Sequence, residues 1–455
     1  MKSRIPLLLL LGIPFLGWGQ KYPNTGQWVT RANRTALIEF SPKTLIWRPS
    51  PFQNQVIQID SRPTGFPLEG FGYTLTGSSA RLIQSLQPAH RKKLLDELVG
   101  STRQFAFFRL SIGASDLDAE VFDYHPVEDL DLRSFSLGPD TLALLPLLKE
   151  MKVIRPDIRF MATPWSPPVW MKTNGNTMGG RLKTDCYDVY ARYLVVYLTK
   201  MKQAGVPIAV LSMQNEPLHG GNNPSMEMSA DEQNIFLRNY LGPAIRQAGL
   251  DTEVLLWDHN ADHPEYPLSI LADSKTREFV RGTAFHLYGG DVTALGKVQQ
   301  AYPEKRIYFT EQWTSSAGEF GGDLMWHLKN VVIGALRQGA VTVLEWNLAN
   351  DRNIGPHTPG GCTQCLGALT IDGQRVERNV AYYILGQISS FVPVGSRQLP
   401  SSGSTLPHVF FERPDGKRVG LLLNETDMVQ EVDLGFAGHF TQIQIPERSV
   451  VTVVW

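Results

Sequence analysis

Cysteine is scarce in this chain: three in 455 residues. That is too few for a disulfide framework, and the spacings offer no second half for a zinc site. Net charge is as small. Forty-three basic and 44 acidic residues leave a formal −1, so no long-range field draws the molecule to nucleic acid or to an anionic membrane. Long hydrophobic runs are missing after the first twenty residues, which excludes an integral membrane protein in the body of the chain. There is no low-complexity tract and no internal repeat. What is present is a 42% hydrophobic composition, enough for a large core in one big domain and a smaller one. The neutral balance suits a neutral substrate.

The amino end has the three parts of an export signal. Lys2 and Arg4 precede the apolar run Ile5 to Phe15, and Gly17 and Gly19 lie just before Gln20. Residues 1–20 are therefore set apart from the fold, and the chain is expected to be secreted or periplasmic. The run is short and broken by Pro6, Gly12 and Pro14, which makes it a poor membrane anchor. In an oxidising compartment a local bridge between Cys362 and Cys365 is plausible, and Cys186 reads as a buried free thiol. Asn33-Arg-Thr and Asn424-Glu-Thr match the glycosylation acceptor pattern, one that also arises by chance.

Residues 21 to about 60 carry β-type segments, Ala36 to Phe40 and Val56 to Ile59. From Gly70 onward, strand-like runs alternate with helical stretches such as Pro88 to Val99 and Tyr187 to Ala204. Eight runs begin near Gly70, Phe105, Ile158, Ile208, Thr252, Gly282, Arg306 and Val341. Eight strand–helix repeats over about 320 residues predict an α/β fold, a (β/α)8 barrel. A doubly wound open sheet fits less well, because no glycine fingerprint follows the first strand. From about Val392 short strands return, at His408 to Glu412, Arg418 to Asn424 and Val450 to Trp455. The expected division is a β-sandwich from 21–65 and 392–455 beside a barrel from 66–391.

Two of the runs end in glutamate. Ile208 to Gln214 leads into Asn215-Glu216-Pro217, and Arg306 to Thr310 leads into Glu311-Gln312-Trp313. The carboxyl ends of barrel strands are where such enzymes keep their chemistry. A pair of carboxyls there suits hydrolysis of a glycosidic bond, one protonating the leaving oxygen and the other attacking carbon or activating water. Asn215 is placed to bond a substrate hydroxyl. Asp258 and His259, at the end of the fifth run, are equally readable as pocket residues or as a satisfied strand-end pair. The chemistry so read needs no metal and no cofactor.

A larger set of motifs can now be lined up: Gly70-Phe-Gly72, Phe108-Arg-Leu-Ser-Ile-Gly113 with Asp116, Thr163-Pro-Trp-Ser-Pro-Pro168 followed by Trp170-Met-Lys-Thr-Asn-Gly175, Gln214-Asn-Glu-Pro217, His286-Leu-Tyr288, Thr310-Glu311 and Glu345-Trp-Asn-Leu348. In this order they resemble glycoside hydrolase family 30, most closely its glucosylceramidase (acid β-glucosidase) branch. The resemblance covers about 66 to 390 and extends to the C-terminal strands. It implies a side β-sandwich built from both chain ends and a retaining mechanism with Glu216 as acid/base and Glu311 as nucleophile. It also implies that Asp116, Trp165, Trp346 and Asn347 hold the hydroxyls of a terminal glucose and that Tyr288 sits beside the nucleophile. Arg109 would keep a nearby carboxylate ionised, and His286 would orient its neighbours. The charge of Glu311 is expected to raise the pKa of Glu216.

Two positions depart from the family pattern: Gly77, where many relatives have an acid, and Leu287, where an aromatic is usual. Trp313 and the insert Asn353 to Gly367 are expected to shape the leaving-group side. The substrate implied is a β-glucoside, glycolipid or glucan, with glucosylceramide first and a β-1,6-glucan cut from within as the alternative. A carbohydrate-binding protein without catalysis is the rival from a different class.

Overall fold

Arg109 lies at the centre of a closed ring of eight parallel strands, and the ring forms because each run is apolar on both faces. The computed structural model describes residues 26–52 and 55–455, so the export signal expected over 1–20 lies outside the described residues. The barrel strands are β1 (Gly70–Tyr73), β2 (Phe107–Ile112), β3 (Arg159–Pro164), β4 (Val210–Ser212), β5 (Glu253–Ala261), β6 (Val280–Gly290), β7 (Arg306–Glu311) and β8 (Ala340–Glu345). They pair in the order β1-β8-β7-β6-β5-β4-β3-β2. Two backbone bonds close the seam between β1 and β2: Ala106 N–H to Phe71 O at 3.0 Å, and Leu75 N–H to Arg109 O at 2.8 Å. Closure needs a glycine, since a Cβ on Gly72 would sit 1.9 Å from the Phe107 carbonyl oxygen.

Side chains that alternate inward fill the barrel in layers. The lowest layer is apolar: Phe107, Met161, Val210, Leu255, Ala284, Tyr308 and Val341, one from each of β2 to β8, form one cluster. Two residues further along their strands, Arg109, Thr163, Ser212 and Thr310 face the same interior, because the strand period is two. The outward faces join the surrounding helices in the main core, which includes Leu94, Leu98, Leu147, Leu194, Leu198 and Leu328. Among these helices, Pro88–Val99 and Tyr187–Gln203 coincide with the stretches read from sequence. The latter starts directly after Cys186, whose thiol is free and buried.

Beside the barrel stand a six-stranded and a four-stranded sheet. Gly26–Arg31 lies between Ser449–Val454 and Glu39–Ser41 in the larger sheet, and Gln55–Ile59 pairs with Gln430–Phe436 in the smaller. The two sheets enclose Ile57, Phe410, Leu422, Leu434, Ile443 and Val451. Several strands differ from expectation. Gly26–Arg31 has buried polar residues, Gln27 and Thr30, which mask its alternation. Thr30 Oγ1 donates to Gln387 Oε1 at 2.7 Å, and Gln387 Nε2 donates to the Trp28 carbonyl at 3.0 Å and to Thr452 Oγ1 at 2.8 Å. The segment expected at Ala36 to Phe40 is shifted to Glu39–Ser41, beyond a turn with Ile38 at φ 53°. The hairpin of Gln430–Phe436 and His439–Ile445 was not read from the sequence.

Asn424 is not an accessible acceptor. Its side-chain nitrogen is buried, donating to the carbonyls of Met428, Ile445 and Pro446. Among the described residues no helix is long and apolar enough to cross a membrane.

Candidate active site

Above the apolar layer lies a polar one, centred on Asp258. Its side chain is fully buried and accepts five bonds: Oδ2 from Arg109 (2.9 Å), Thr163 (3.2 Å) and Ser212 (2.6 Å), and Oδ1 from Thr310 (2.7 Å) and His286 (3.2 Å). These donors come from five different strands. Burial alone would raise the Asp258 pKa, but Arg109 and His286 outweigh it and hold this carboxyl well below the usual range. Of the two readings open for Asp258, the satisfied strand-end residue is therefore what the structure contains. It reaches this position through an irregularity in the β5–β6 register between Trp257 and His259, with Trp257 at φ 73° and Asp258 at φ 68°. Such bulges re-aim side chains.

Arg109 distributes the charge of this layer upward. One guanidinium nitrogen donates to Glu311 Oε2 at 2.5 Å, and the other to Asn215 Oδ1 at 2.6 Å as well as to Asp258. Its flat face lies 4.8 Å from the Trp165 ring. Glu311 also accepts from Tyr288 OH at 3.0 Å.

Glu216, at φ 45°, ends β4 in a sharp turn, and its N–H donates to the Asp258 carbonyl at 3.0 Å. Strained backbone of this kind collects at functional sites. Its carboxylate accepts from Asn222 Nδ2 at 3.0 Å and faces His286 Nδ1 at 3.4 Å. One oxygen each of Glu216 and Glu311 and His286 Nδ1 lie within 4.8 Å of one another.

The two glutamates share a cavity of about 320 Å³ lined by Asp116, Trp165, Glu216, His219, Asn222, His259, Asn260, Tyr288, Glu311, Trp313, Trp346, Cys362 and Cys365. Trp165 and Trp346 form one wall, their ring centroids 5.5 Å apart. Of the residues picked from sequence, Glu216, Glu311, Asp116, Trp165, Tyr288, Trp313 and Trp346 meet there. Arg109, Asn215 and His286 lie in the layer below. Asn347 does not line the cavity; its Oδ1 accepts from Ser79 Oγ at 2.6 Å and Thr76 Oγ1 at 3.3 Å, tying the end of β8 to the helix Gly77–Gln84.

His219, Asn222 and Asn260 were not anticipated: the first two stand on an irregular loop without a pattern, and Asn260 lies on β5 beyond its register irregularity. The bridge between Cys362 and Cys365 is formed, and its place in the cavity wall was not anticipated either. The space at Gly77 is taken by Asp118, whose Oδ1 lies 2.2 Å from where a Cβ would be.

The charges differ from expectation in one respect. Burial would lower the His286 pKa, but Glu311, Asp258 and Glu216 around it raise it to about 9. Beside that imidazolium Glu216 is held down at about 2, against its own burial. Burial raises Glu311 above its ordinary value. The proton expected on Glu216 thus rests on His286, 3.4 Å away. Glu216, His286 and Glu311 converge as metal ligands would, with Arg109 already bonded to Glu311. Burial, helped by the charge of Glu311, pushes Asp116 up to about 7. Burial lowers His259 to about 4.

A closed eight-stranded barrel with two buried carboxylates across one aromatic-walled cavity at its carboxyl end defines a barrel glycosidase. The chain belongs to glycosyl hydrolase family 30: the profile of that family's TIM-barrel domain matches residues 68–392. It is a glycoside hydrolase. It is 34% identical over 367 residues to an endo-1,6-beta-D-glucanase of Neurospora crassa, 76% of this chain and 75% of that protein. To the lysosomal acid glucosylceramidase of Mus musculus it is 26% identical over 420 residues, 85% of this chain and 81% of that one. The solved structure of an endo-beta1,6-glucanase superposes with a TM-score of 0.89 at 29% identity, covering 95% of this chain and 100% of the other.

Proposed function

We propose that the enzyme cuts β-1,6-linked glucan from within, by double displacement with Glu311 as nucleophile and Glu216 as acid/base. The observation that carries the mechanism is the separation of the two carboxylates, with oxygens within 4.8 Å. That is on the order of the ~5 Å needed for direct attack and short of the roughly 6.5–9.5 Å that leaves room for a water. Glu311, held by Arg109 and Tyr288, attacks the anomeric carbon as Glu216 passes to the leaving oxygen the proton held on His286 Nδ1, 3.4 Å away, which leaves His286 neutral. Forming the glycosyl ester removes the charge of Glu311. Glu216 then acts as base toward the incoming water.

In this reading Asp116 and the indoles of Trp165 and Trp346 hold the sugar ring. Asn215 has its Oδ1 committed to Arg109, which leaves its Nδ2 end for a hydroxyl near the reacting carbon. Arg109 and His286 act from below, Arg109 offsetting the charge of Glu311 and His286 facing Glu216 as the source of the proton that it passes on. Asn347, bonded toward Ser79, supports Trp346 from behind.

Two features favour a glucan over glucosylceramide, the substrate the sequence put first. The cavity side near the acid/base is polar, made by His219, Asn222 and Asn260, which suits a second sugar better than a lipid. The higher identity to the glucanase relative points the same way. Assay of β-1,6-glucan, an aryl β-glucoside and glucosylceramide side by side tests it. Oligosaccharides released from the glucan are expected, and turnover of glucosylceramide without the glucan would reverse the choice. Export by residues 1–20 belongs to the same reading and is supported by the disulfide. N-terminal sequencing of the secreted chain checks it.

A further inference from the structure

The segment following β8, residues 351–367, crosses the barrel mouth and is tied at three places. Thr358 donates from its N–H (2.9 Å) and Oγ1 (3.3 Å) to the Asp116 carbonyl. Asn223 Nδ2 donates to the Pro359 carbonyl at 2.9 Å and Thr358 Oγ1 to the Asn223 carbonyl at 2.5 Å. Cys365–Leu366 pairs antiparallel with Thr314–Ser315, just past the nucleophile. Between the second and third ties stands the Cys362–Cys365 bridge.

Both cysteines line the cavity, and Cys365 packs in one cluster with Leu117, Trp165 and Trp346. The Cys362 N–H points at Asp116 Oδ2, 3.4 Å away. Among the described residues no side chain donates to that carboxylate, although it is buried beside Glu311. Gly361 lets the segment lie this close, since a Cβ there would be 2.3 Å from the Asp116 carbonyl oxygen. The geometry is that of a short turn, locked by sulfur, presenting one backbone donor to one carboxylate.

We propose that the Cys362–Cys365 disulfide is a positioning element of the sugar site. By fixing the turn it holds the Cys362 N–H on Asp116 and the sulfur wall against the two indoles, so that tight binding of the pyranose ring requires the oxidised bridge. This rests on the reading that Asp116 contacts the sugar. A loop of four residues constrains the unfolded chain little, so the bridge acts mainly on local geometry.

The test uses the full-length enzyme and a β-1,6-linked gluco-oligosaccharide, before and after dithiothreitol. The reagent breaks the S–S bond, delivering two electrons and two protons to give two thiols while it closes to its own cyclic disulfide. KM is expected to rise roughly 3- to 10-fold on reduction, the scale of one ordinary hydrogen bond, with kcat changed less than about threefold. Reoxidation with glutathione disulfide restores KM, and the doubly substituted C362S/C365S enzyme matches the reduced one. Asp116→Asn raises KM in the oxidised enzyme, and reducing that variant adds little more.

If Asp116→Asn raises KM while reduction does not, the bridge has no positioning role and the proposal falls, with the sugar site intact. An unchanged KM in Asp116→Asn removes the sugar-site reading itself. Loss of the near-UV circular dichroism on reduction would also overturn the proposal, in favour of a bridge that holds the fold.

Discussion

Glu311 is held by groups from two strands, Arg109 on β2 and Tyr288 on β6, which fix both oxygens before substrate arrives. Replacing it by glutamine keeps the shape but removes the proposed nucleophile. Steady-state kinetics on Glu311→Gln should show kcat down by at least about 10³-fold with binding retained in calorimetry. A near-native rate would place the nucleophile elsewhere. Arg109 carries a different burden, since Asp258, Asn215 and Glu311 all depend on it. Arg109→Met should destabilise by about 3–5 kcal/mol in urea unfolding, because two buried carboxylates lose their counter-charge. Both glutamates were legible because each ends a single apolar run. The location of the proton was not: it depends on His286 lying against three carboxylates contributed by β4, β5 and β7, which no spacing in the sequence reveals.

Among the elements, β1 is the shortest of the glycine-containing strands that must pass close to a neighbour. The Phe107 carbonyl occupies the place of a Cβ at Gly72, so the seam of the barrel depends on an absent side chain. Gly72→Ala should cost about 1–3 kcal/mol, read as a lower thermal midpoint, and an unchanged midpoint would mean the seam relaxes freely. All eight barrel strands could be placed from sequence because runs buried on both faces are continuous in apolar residues. The sandwich was less legible. Gly26–Arg31 hides its pattern behind Gln27 and Thr30, buried polar residues, of which Thr30 is bonded to Gln387 from the helix Val380–Ser389. The cavity-facing segments were the least legible: His219 and Asn222 stand on a loop without a pattern, and the cysteine turn owes its position to contacts between segments more than a hundred residues apart, such as Thr358 with Asp116.

The whole molecule carries several buried groups whose proton affinity the fold increases. Burial raises Asp116 to about 7, Asp118 to about 6 and Asp140 to about 8, all from 3.8. His286, its burial outweighed by Glu311 and its other carboxylate neighbours, rises from 6.5 to about 9. Each holds a proton in the fold that the unfolded chain has released, so between the ordinary and the folded value stability falls as pH rises. Asp258 and Glu216 are depressed instead, and their contribution is lost as pH falls below the usual carboxylate range. The thermal midpoint is therefore expected to be highest in mild acid and to decline from about pH 5 to pH 9; a midpoint rising over that range would contradict the charge assignment. Cleavage of a β-1,6-glucan by two carboxylates acting in turn can be followed by proton NMR of the first products. Hydrolysis of a β-1,6-linked gluco-oligosaccharide should release the new reducing end as the β-anomer before it equilibrates. Initial appearance of the α-anomer, or no cleavage of this linkage, would contradict the account.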